Sequence, residues 1–339
     1  MRTRVVCFGE LLLRLGAPGR QLLLQSPQFE VNYGGAEANV AVSLAQFGHA
    51  AAMVSRVPHG PLGAAAVGEL RRHGVDTRGV ASGAGRMGLY FLINGAIHRP
   101  SAVLYDRAGS AFALATPESY AWDGLLAGAD WLHLSGVTPA LGASAAQAAQ
   151  DAAETATRLG VRVSFDGNYR SKLWEGWDSQ AQQRLHALVA HSEVLFASDR
   201  DIDVILGDAA QPEDPAERIA AAAARAFAAF PRLQQMATTL RTQRSVDHHV
   251  LSAVRVDRSG ALQLTPEYDV TPIVDRIGTG DAFAAGFLHG LISGHDTAQS
   301  LHFGLGAACL KHSIPGDFNR VSVADVMAFV ADEGFHVRR

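Results

Sequence analysis

The stretch Val274–Leu291, VDRIGTGDAFAAGFLHGL, decides how this chain is read. Phe283, Phe287 and Leu291 recur every four positions, the spacing of one face of a helix. Ala284, Ala285 and Gly286 are small enough to let that helix lie close against a neighbour. Gly278 and Gly280 therefore sit at a helix N-terminus, where unpaired N–H groups and the helix dipole favour an anion. Asp281 follows them, a carboxylate set beside a ready-made anion site. Taken alone, the aspartate reads equally as a helix-capping residue and as a chemical group.

Composition narrows the classes of function. The chain has 339 residues, 48% of them hydrophobic and 18% charged, with a formal net charge of −4. It is long enough for a large core, and its charge gives no general reason to expect nucleic acid or an anionic membrane as partner. No apolar run reaches membrane-spanning length, and MRTRVVCFGELLLRLG lacks the apolar core and cleavage site of a signal peptide. Cys7 and Cys309 are the only cysteines, which excludes a disulfide framework and a cysteine-based zinc site. A cytoplasmic globular protein is the expectation.

Short apolar runs alternate with Ala-rich helical patterns. RVVCFG, AAMVSRV, WLHLSG, VRVSFDGN, EVLFAS and QMATTL read as strands. GGAEANVAVSLAQFG, GAAAVGELRRHG, SAAQAAQDAAETATRLG, Ser179–His191 and AAAARAFAAF read as helices, and HHVLSAVRVD and ALQLTPEYDV as hairpin or edge strands. This order predicts a parallel sheet with helices on both faces. Ligands of such sheets bind beyond the C-terminal strand ends, so the loops GGAEAN, SGVTP, DGNYR, ASDRD and GTGD are expected to converge on one cleft. Residues near Leu11–Tyr33 and Gly88–Asp106 break the alternation. They predict a small extra sheet, either a flap that closes over a ligand or a pair of surface hairpins.

Familiar motifs are absent. Gly278-Thr279-Gly280 lies too late in the chain, and lacks the third glycine, for a dinucleotide fingerprint; no Gly-x-x-x-x-Gly-Lys phosphate loop occurs. His248 and His249 are adjacent in a strand-like run, so they point to opposite faces and cannot chelate one ion.

FGE after the first strand, GGAEANVAVSLAQFG, FDGNYRSKLW and DRIGTGDAFAAGFLHGL together resemble the ribokinase-like (PfkB) carbohydrate kinases over nearly the whole chain. LYDRAGSAF, NYRSKLW and LKHSIPGDFNRVS look most similar to the 2-keto-3-deoxygluconate kinases of that family. The sequence departs from the family pattern at Thr279, where Ala or Gly is usual, and at Ser198, where many members carry Asn; Arg276 replaces the small residue of the general pattern, and there the 2-keto-3-deoxygluconate kinases resemble this sequence.

The resemblance implies one ribokinase-like domain over residues 1–339, a Rossmann-type α/β/α sandwich with a small β lid drawn from about 11–33 and 88–106. It implies ATP-dependent phosphorylation, with Mg²⁺ on the nucleotide phosphates, of the terminal hydroxyl of a small sugar acid. Asp281 would accept the hydroxyl proton, while the backbone of Gly278, Thr279 and Gly280 holds the charge of the phosphoryl group in flight. The helix dipole should lower the pKa of Asp281 and keep it ionised. Gly34, Gly35 and Asn39 would meet the sugar hydroxyls. Tyr90, Tyr105, Arg107 and Arg170 would bind the acid, the two arginines suiting a carboxylate through their bidentate fork. Ser198, Thr239, Lys311 and His312 would border the nucleotide, with a plain structural role the equal alternative for each. No protein metal site is expected, no nucleic acid or membrane partner, and homo-oligomerisation is left open. The rival expectations are a kinase of fructose or another neutral sugar and a catalytically silent sugar-binding regulator on the same fold.

Overall fold

The first strand shows how the sheet is covered. In Arg4–Phe8, Val6 and Phe8 enter one hydrophobic cluster and Val5 and Cys7 another, because alternate side chains leave opposite faces. Both faces must then carry helices. In the computed structural model, which describes residues 2–176, 180–210 and 212–331, they do.

The strands in chain order are β1 (Arg4–Phe8), β2 (Leu12–Gly16), β3 (Glu30–Gly34), β4 (Ala50–Pro58), β5 (Asp76–Gly83), β6 (Gly88–Ile93) and β7 (Ala102–Asp106). There follow β8 (Trp131–Ser135), β9 (Arg162–Asp166), β10 (Val194–Phe196), β11 (Gln235–Ser245), β12 (His248–Asp257), β13 (Leu262–Leu264) and β14 (Tyr268–Val270). The main sheet runs β13-β12-β11-β10-β9-β8-β1-β4-β5, with β14 also on β12. Its seven strands from β11 to β5 are parallel; β12, β13 and β14 are antiparallel additions at one edge. The chain leaves β1 toward β4 and β5, then returns to the other side of β1 at β8. The crevice between β1 and β8 is therefore the topological switch point, where an open parallel sheet receives its ligand.

No strand is expected over DTRGVASG, whose polar and apolar residues do not alternate cleanly, yet β5 forms there by pairing with β4. The helix expected over Ser179–His191 is present as Ala181–Val189, with Ser179 outside the described residues. The stretches around Leu11–Tyr33 and Gly88–Asp106 contribute a second sheet of order β3-β2-β6-β7. Leu12, Tyr90 and Leu92 on its inner face form a small cluster with Val103, Tyr105 and Ile277. That cluster seats the second sheet on the segment leading into the Gly278 turn.

The helix Thr279–Ile292 packs on the helix Thr297–Lys311 at glycine contacts. A Cβ at Gly286 would stand 2.9 Å from the Gly304 Cα, and one at Gly290 would stand 2.6 Å from the Ser300 Cα. Gly290→Ala is expected to destabilise despite the roughly 1 kcal/mol that alanine gains over glycine in a helix. Forcing two backbones apart costs about 1–3 kcal/mol, so urea unfolding should show a lower midpoint at unchanged slope; a raised midpoint would mean the helices separate freely.

Candidate active site

Asp281 lies in the first turn of the helix Thr279–Ile292, whose N-cap Gly278 has φ 79°. A second helix, Ala36–Gln46, begins beside it after Gly35, at φ 141°. Side chains at these two caps are barred twice over. Both backbones are left-handed, and a Cβ would lie 2.1 Å from the Asp317 carbonyl oxygen at Gly278 and 2.2 Å from that of Glu10 at Gly35. The close approach lets Asn39 Nδ2 donate to Asp281 Oδ2 at 2.6 Å, deep in the protein. At Gly280 the opposite holds: the space a Cβ would occupy is open and the residue is exposed. Thr279 turns its hydroxyl back to the Arg276 carbonyl at 3.0 Å, and the first N–H groups of a helix have no intrahelical partner.

The dipole does not win at Asp281. Burial raises its pKa to about 7, with the Glu37 and Asp317 charges adding to the rise, while the Asn39 hydrogen bond and Arg170 oppose it. Loss of hydration outweighs a partial charge at the helix end. The expectation of a lowered pKa is thereby corrected, and the carboxylate is poised at neutral pH rather than fixed as an anion.

The five loops beyond the strands do meet. Glu37, from GGAEAN, accepts from Ser135 Oγ and Thr138 Oγ1 of SGVTP, both at 2.7 Å. Tyr169 N of DGNYR donates to Asp201 Oδ1 of ASDRD at 3.2 Å. Asp166, at the end of β9, is held well above the usual carboxylate range by burial and by the charges of Asp281 and Asp201. Glu37, Asp166, Asp281 and Asp317 thus crowd four acidic groups around the switch point, and burial raises the pKa of each.

Several participants escape a sequence reading. Asp317 is 2% exposed, accepts from Tyr90 Oη at 2.6 Å, and has its pKa pushed up to about 6, chiefly by burial. Arg14 reaches Asp275 at 2.6 Å and Asp317 at 3.2 Å, so β2 of the second sheet is tied to the approach to Gly278. Asp275 also accepts from the N–H groups of Ile277 and Gly316, each at 3.0 Å. The only signal for Arg14 is a charged residue inside the apolar run LLLRL.

The candidate substrate residues separate. Gly34 and Tyr90 both lie against the Asp317 carboxylate, and Tyr105 faces Tyr90 across the β6–β7 ladder. Arg107 is buried with Nε on Glu10 Oε2 at 2.5 Å, so a structural carboxylate already holds one side of its fork. Arg170 is exposed, bonded to the Tyr169 carbonyl, and close enough to lower the pKa of Asp281 and Asp166. Two arginines equally free to clamp a carboxylate are not what the geometry provides.

Of the candidate nucleotide residues, Ser198 caps the helix Asp199–Leu206 in a reciprocal arrangement with Asp201. Thr239 is half-buried on β11. Lys311 is wholly buried with Nζ on the Ile314 carbonyl at 2.9 Å, and burial brings its pKa down to about 8. His312 is buried with Nδ1 donating to the Ala308 carbonyl at 2.7 Å. Lys311 Nζ and His312 Nδ1 are thus both engaged by backbone carbonyls.

The pfkB family carbohydrate kinase pattern matches residues 2–319. The chain belongs to that family. A protein of Haloferax volcanii named 2-dehydro-3-deoxygalactonokinase is 33% identical over 96% of both chains. The 2-dehydro-3-deoxygluconokinase of Thermotoga maritima is 39% identical, with a TM-score of 0.92 over 97% of this chain and all of that one. A putative Ribokinase II of Escherichia coli, solved with ATP and Mg²⁺, shares the fold at 17% identity and a TM-score of 0.81, covering 97% of this chain and 99% of that one. The chain is therefore a PfkB sugar kinase with the ribokinase-like fold.

In this PfkB chain the raised pKa has a thermodynamic consequence. A carboxyl whose pKa is about 7 when folded and near 4 when unfolded binds its proton more tightly in the folded state. Stability therefore falls as pH rises from about 4 to 7 and stays lower above that. Asp281→Asn removes the charge and keeps the shape, so it should stabilise the protein by about 1–3 kcal/mol at pH 8 and by progressively less toward pH 4. Equal stability of the two proteins at pH 8, measured by denaturant unfolding, would contradict a desolvated Asp281.

Proposed function

We propose that this protein transfers the γ-phosphoryl group of ATP to the terminal hydroxyl of a small sugar acid, with 2-keto-3-deoxygluconate as substrate and 2-keto-3-deoxy-6-phosphogluconate as product. The observation that carries this is the pairing of Asp281, at a pKa of about 7, with the open N–H turn at Gly278–Gly280. Phosphoryl transfer needs positioning and charge stabilisation more than covalent help. The acceptor hydroxyl would lie against the free face of Asp281, held from behind by Asn39. As the phosphorus–oxygen bond forms, the proton passes to the carboxylate and the turn's N–H groups meet the equatorial oxygens. Deprotonated Asp281 is the competent form.

Mg²⁺ fits a donor set poor in protein ligands. Among the described residues no three His, Cys, Asp or Glu side chains gather around one point, and Mg²⁺ on nucleotides takes most of its ligands from phosphate and water. Asp166, whose charge is opposed by burial and by neighbouring acids, is the carboxylate a cation would relieve. The metal would neutralise charge on the phosphates. The second sheet acts as a lid in this reading, its Tyr90 and Tyr105 bordering the sugar and excluding water. Thr239 and Ser198 border the nucleotide side, while Lys311 and His312 support it from within.

The sugar-acid assignment draws on the names of the Haloferax and Thermotoga proteins and on Arg170. Of the two arginines, Arg170 has its fork exposed for a carboxylate, whereas Arg107 reaches the substrate only with the part of its guanidinium that Glu10 leaves over. The two names point to the gluco and galacto epimers, so both acids are assayed.

Asp281→Asn should lower kcat by roughly 10²–10⁴-fold. The wild-type kcat/KM should fall as pH drops through about 7, where Asp281 takes up its proton. In Asn39→Ala that limb should move to higher pH, because a donor that favours the carboxylate has gone. A limb that stays in place would remove Asn39 from control of the base.

Arg170→Ala should reduce kcat/KM for both sugar acids by about 10- to 150-fold, the worth of a charge-assisted hydrogen bond, and should slow fructose turnover far less, by only what the raised proton affinity of Asp281 costs near neutral pH. Equal losses on acid and neutral sugar would make Arg170 structural. Arg107→Ala is the less informative variant, since it strands the buried Glu10 carboxylate and should unfold more readily.

A further inference from the structure

Asp281 is ringed by acids, yet the other flank of the same turn is basic. Arg241 lies on β11 directly opposite Leu251 of β12, and Thr239 directly opposite Ala253. Opposed residues of an antiparallel pair share a face. Leu251 and Ala253 pack in the cluster that contains Phe283 and Phe287 of the Asp281 helix. Arg241 and Thr239 therefore leave the sheet on the side that this helix covers. Arg276 stands two residues before Gly278, at the mouth of the turn.

Among the described residues neither guanidinium forms a salt bridge or side-chain hydrogen bond with a carboxylate. The charged group that acts on Arg241 is Arg276, and both burial and that neighbour press its pKa down. His249 and His312 stand edge-on behind them, ring centroids 6.0 Å apart, and both ring nitrogens of the buried His249 lack a partner. Burial and the charges of Arg241, His312 and Arg276 keep the His249 ring neutral at physiological pH. Two adjacent cations with no acid between them repel one another, and their energy falls when an anion enters.

We propose that Arg241 and Arg276 form the seat of the nucleotide's polyphosphate, delivering the transferred phosphoryl group to the N–H turn at Gly278–Gly280. This rests on the reading of the protein as an ATP-dependent kinase. Arg276 departs from the small residue of the general family pattern, and in this seat the change has a purpose. It places a permanent charge at the point where the phosphate chain must pass to reach Asp281. Two planar forks also fix the direction of approach, since guanidinium groups bind phosphate oxygens in pairs.

The test measures affinity for ATP and for adenosine by calorimetry, without sugar, in wild type, Arg241→Gln, Arg276→Gln and the double variant. ATP affinity should fall by about 10- to 150-fold for each arginine, with adenosine affinity unchanged. ATP affinity that is unchanged, or that falls in step with adenosine affinity, overturns the proposal. Should a variant fold poorly, the wild type gives a second measurement. ATP should protect Arg241 and Arg276 from an arginine-specific dicarbonyl reagent, located by peptide mapping, and adenosine should not; equal labelling with either ligand also overturns it. Because no acceptor sugar is present, a protein that fails to phosphorylate sugar acids but shows these ATP effects would refute the substrate assignment and leave the seat intact.

Discussion

The contact on which the site depends is the hydrogen bond from Asn39 to Asp281. It joins the first turns of two helices that are 242 residues apart in sequence. For the two side chains to meet, both helix starts must press against neighbouring carbonyls, which only glycine at positions 35 and 278 permits. The same closeness removes water from Asp281. A carboxylate at a helix N-terminus is ordinarily stabilised as an anion by about 0.3–1 kcal/mol at exposed sites, and here that benefit is overtaken by dehydration. Asn39 supplies a single donor in place of a hydration shell, enough to orient the acid and too little to restore its ordinary pKa.

A second buried layer holds this pair in place. Asp275 accepts from Arg14 and from two backbone N–H groups, and Asp317 receives Arg14 and Tyr90. Such a network is weak evidence for stability, because each ion pays to leave water. Its effect is on position. Arg14 and Tyr90 belong to the second sheet, while Asp275 and Asp317 flank the turn, so any tilt of that sheet is felt at Gly278.

The sequence carries the fold because its signals are local and repeated. Alternation of apolar strands with Ala-rich helices gives the layered sheet, and the Phe283–Phe287–Leu291 spacing gives the helix behind Asp281. The convergence of the five loops follows from the position of strand ends. What the sequence does not carry is dehydration, which depends on residues far apart in the chain. Asp281 reads as an ordinary N-terminal acid until Glu37, Asp166 and Asp317 are placed around it. Likewise Arg107 reads as a free cation in LYDRAGSAF, because Glu10 is 97 positions away. Lys311 and His312 lie in a segment similar to nucleotide-binding stretches, and that both are buried at the end of the helix Thr297–Lys311 has no local signal in the sequence.

The charge around the Gly278–Gly280 turn is divided, and the division matches the two partners of a phosphoryl transfer. On the side of β1, β8 and β9 stand Glu37, Asp166, Asp281 and Asp317; on the side of β11 and β12 stand the cations Arg241 and Arg276, with the neutral rings of His249 and His312 beside them. A polyphosphate is repelled from the first group and drawn to the second. A neutral hydroxyl is indifferent to both, and approaches the acids because one of them can take its proton. Arg170 is exposed and close enough to depress the pKa of both Asp281 and Asp166. A substrate carboxylate bound there would offset that cation and raise the affinity of Asp281 for a proton. In this reading the acid group of the sugar does more than select the substrate: its arrival makes the deprotonated Asp281 a stronger base and moves upward the pH at which that form is populated.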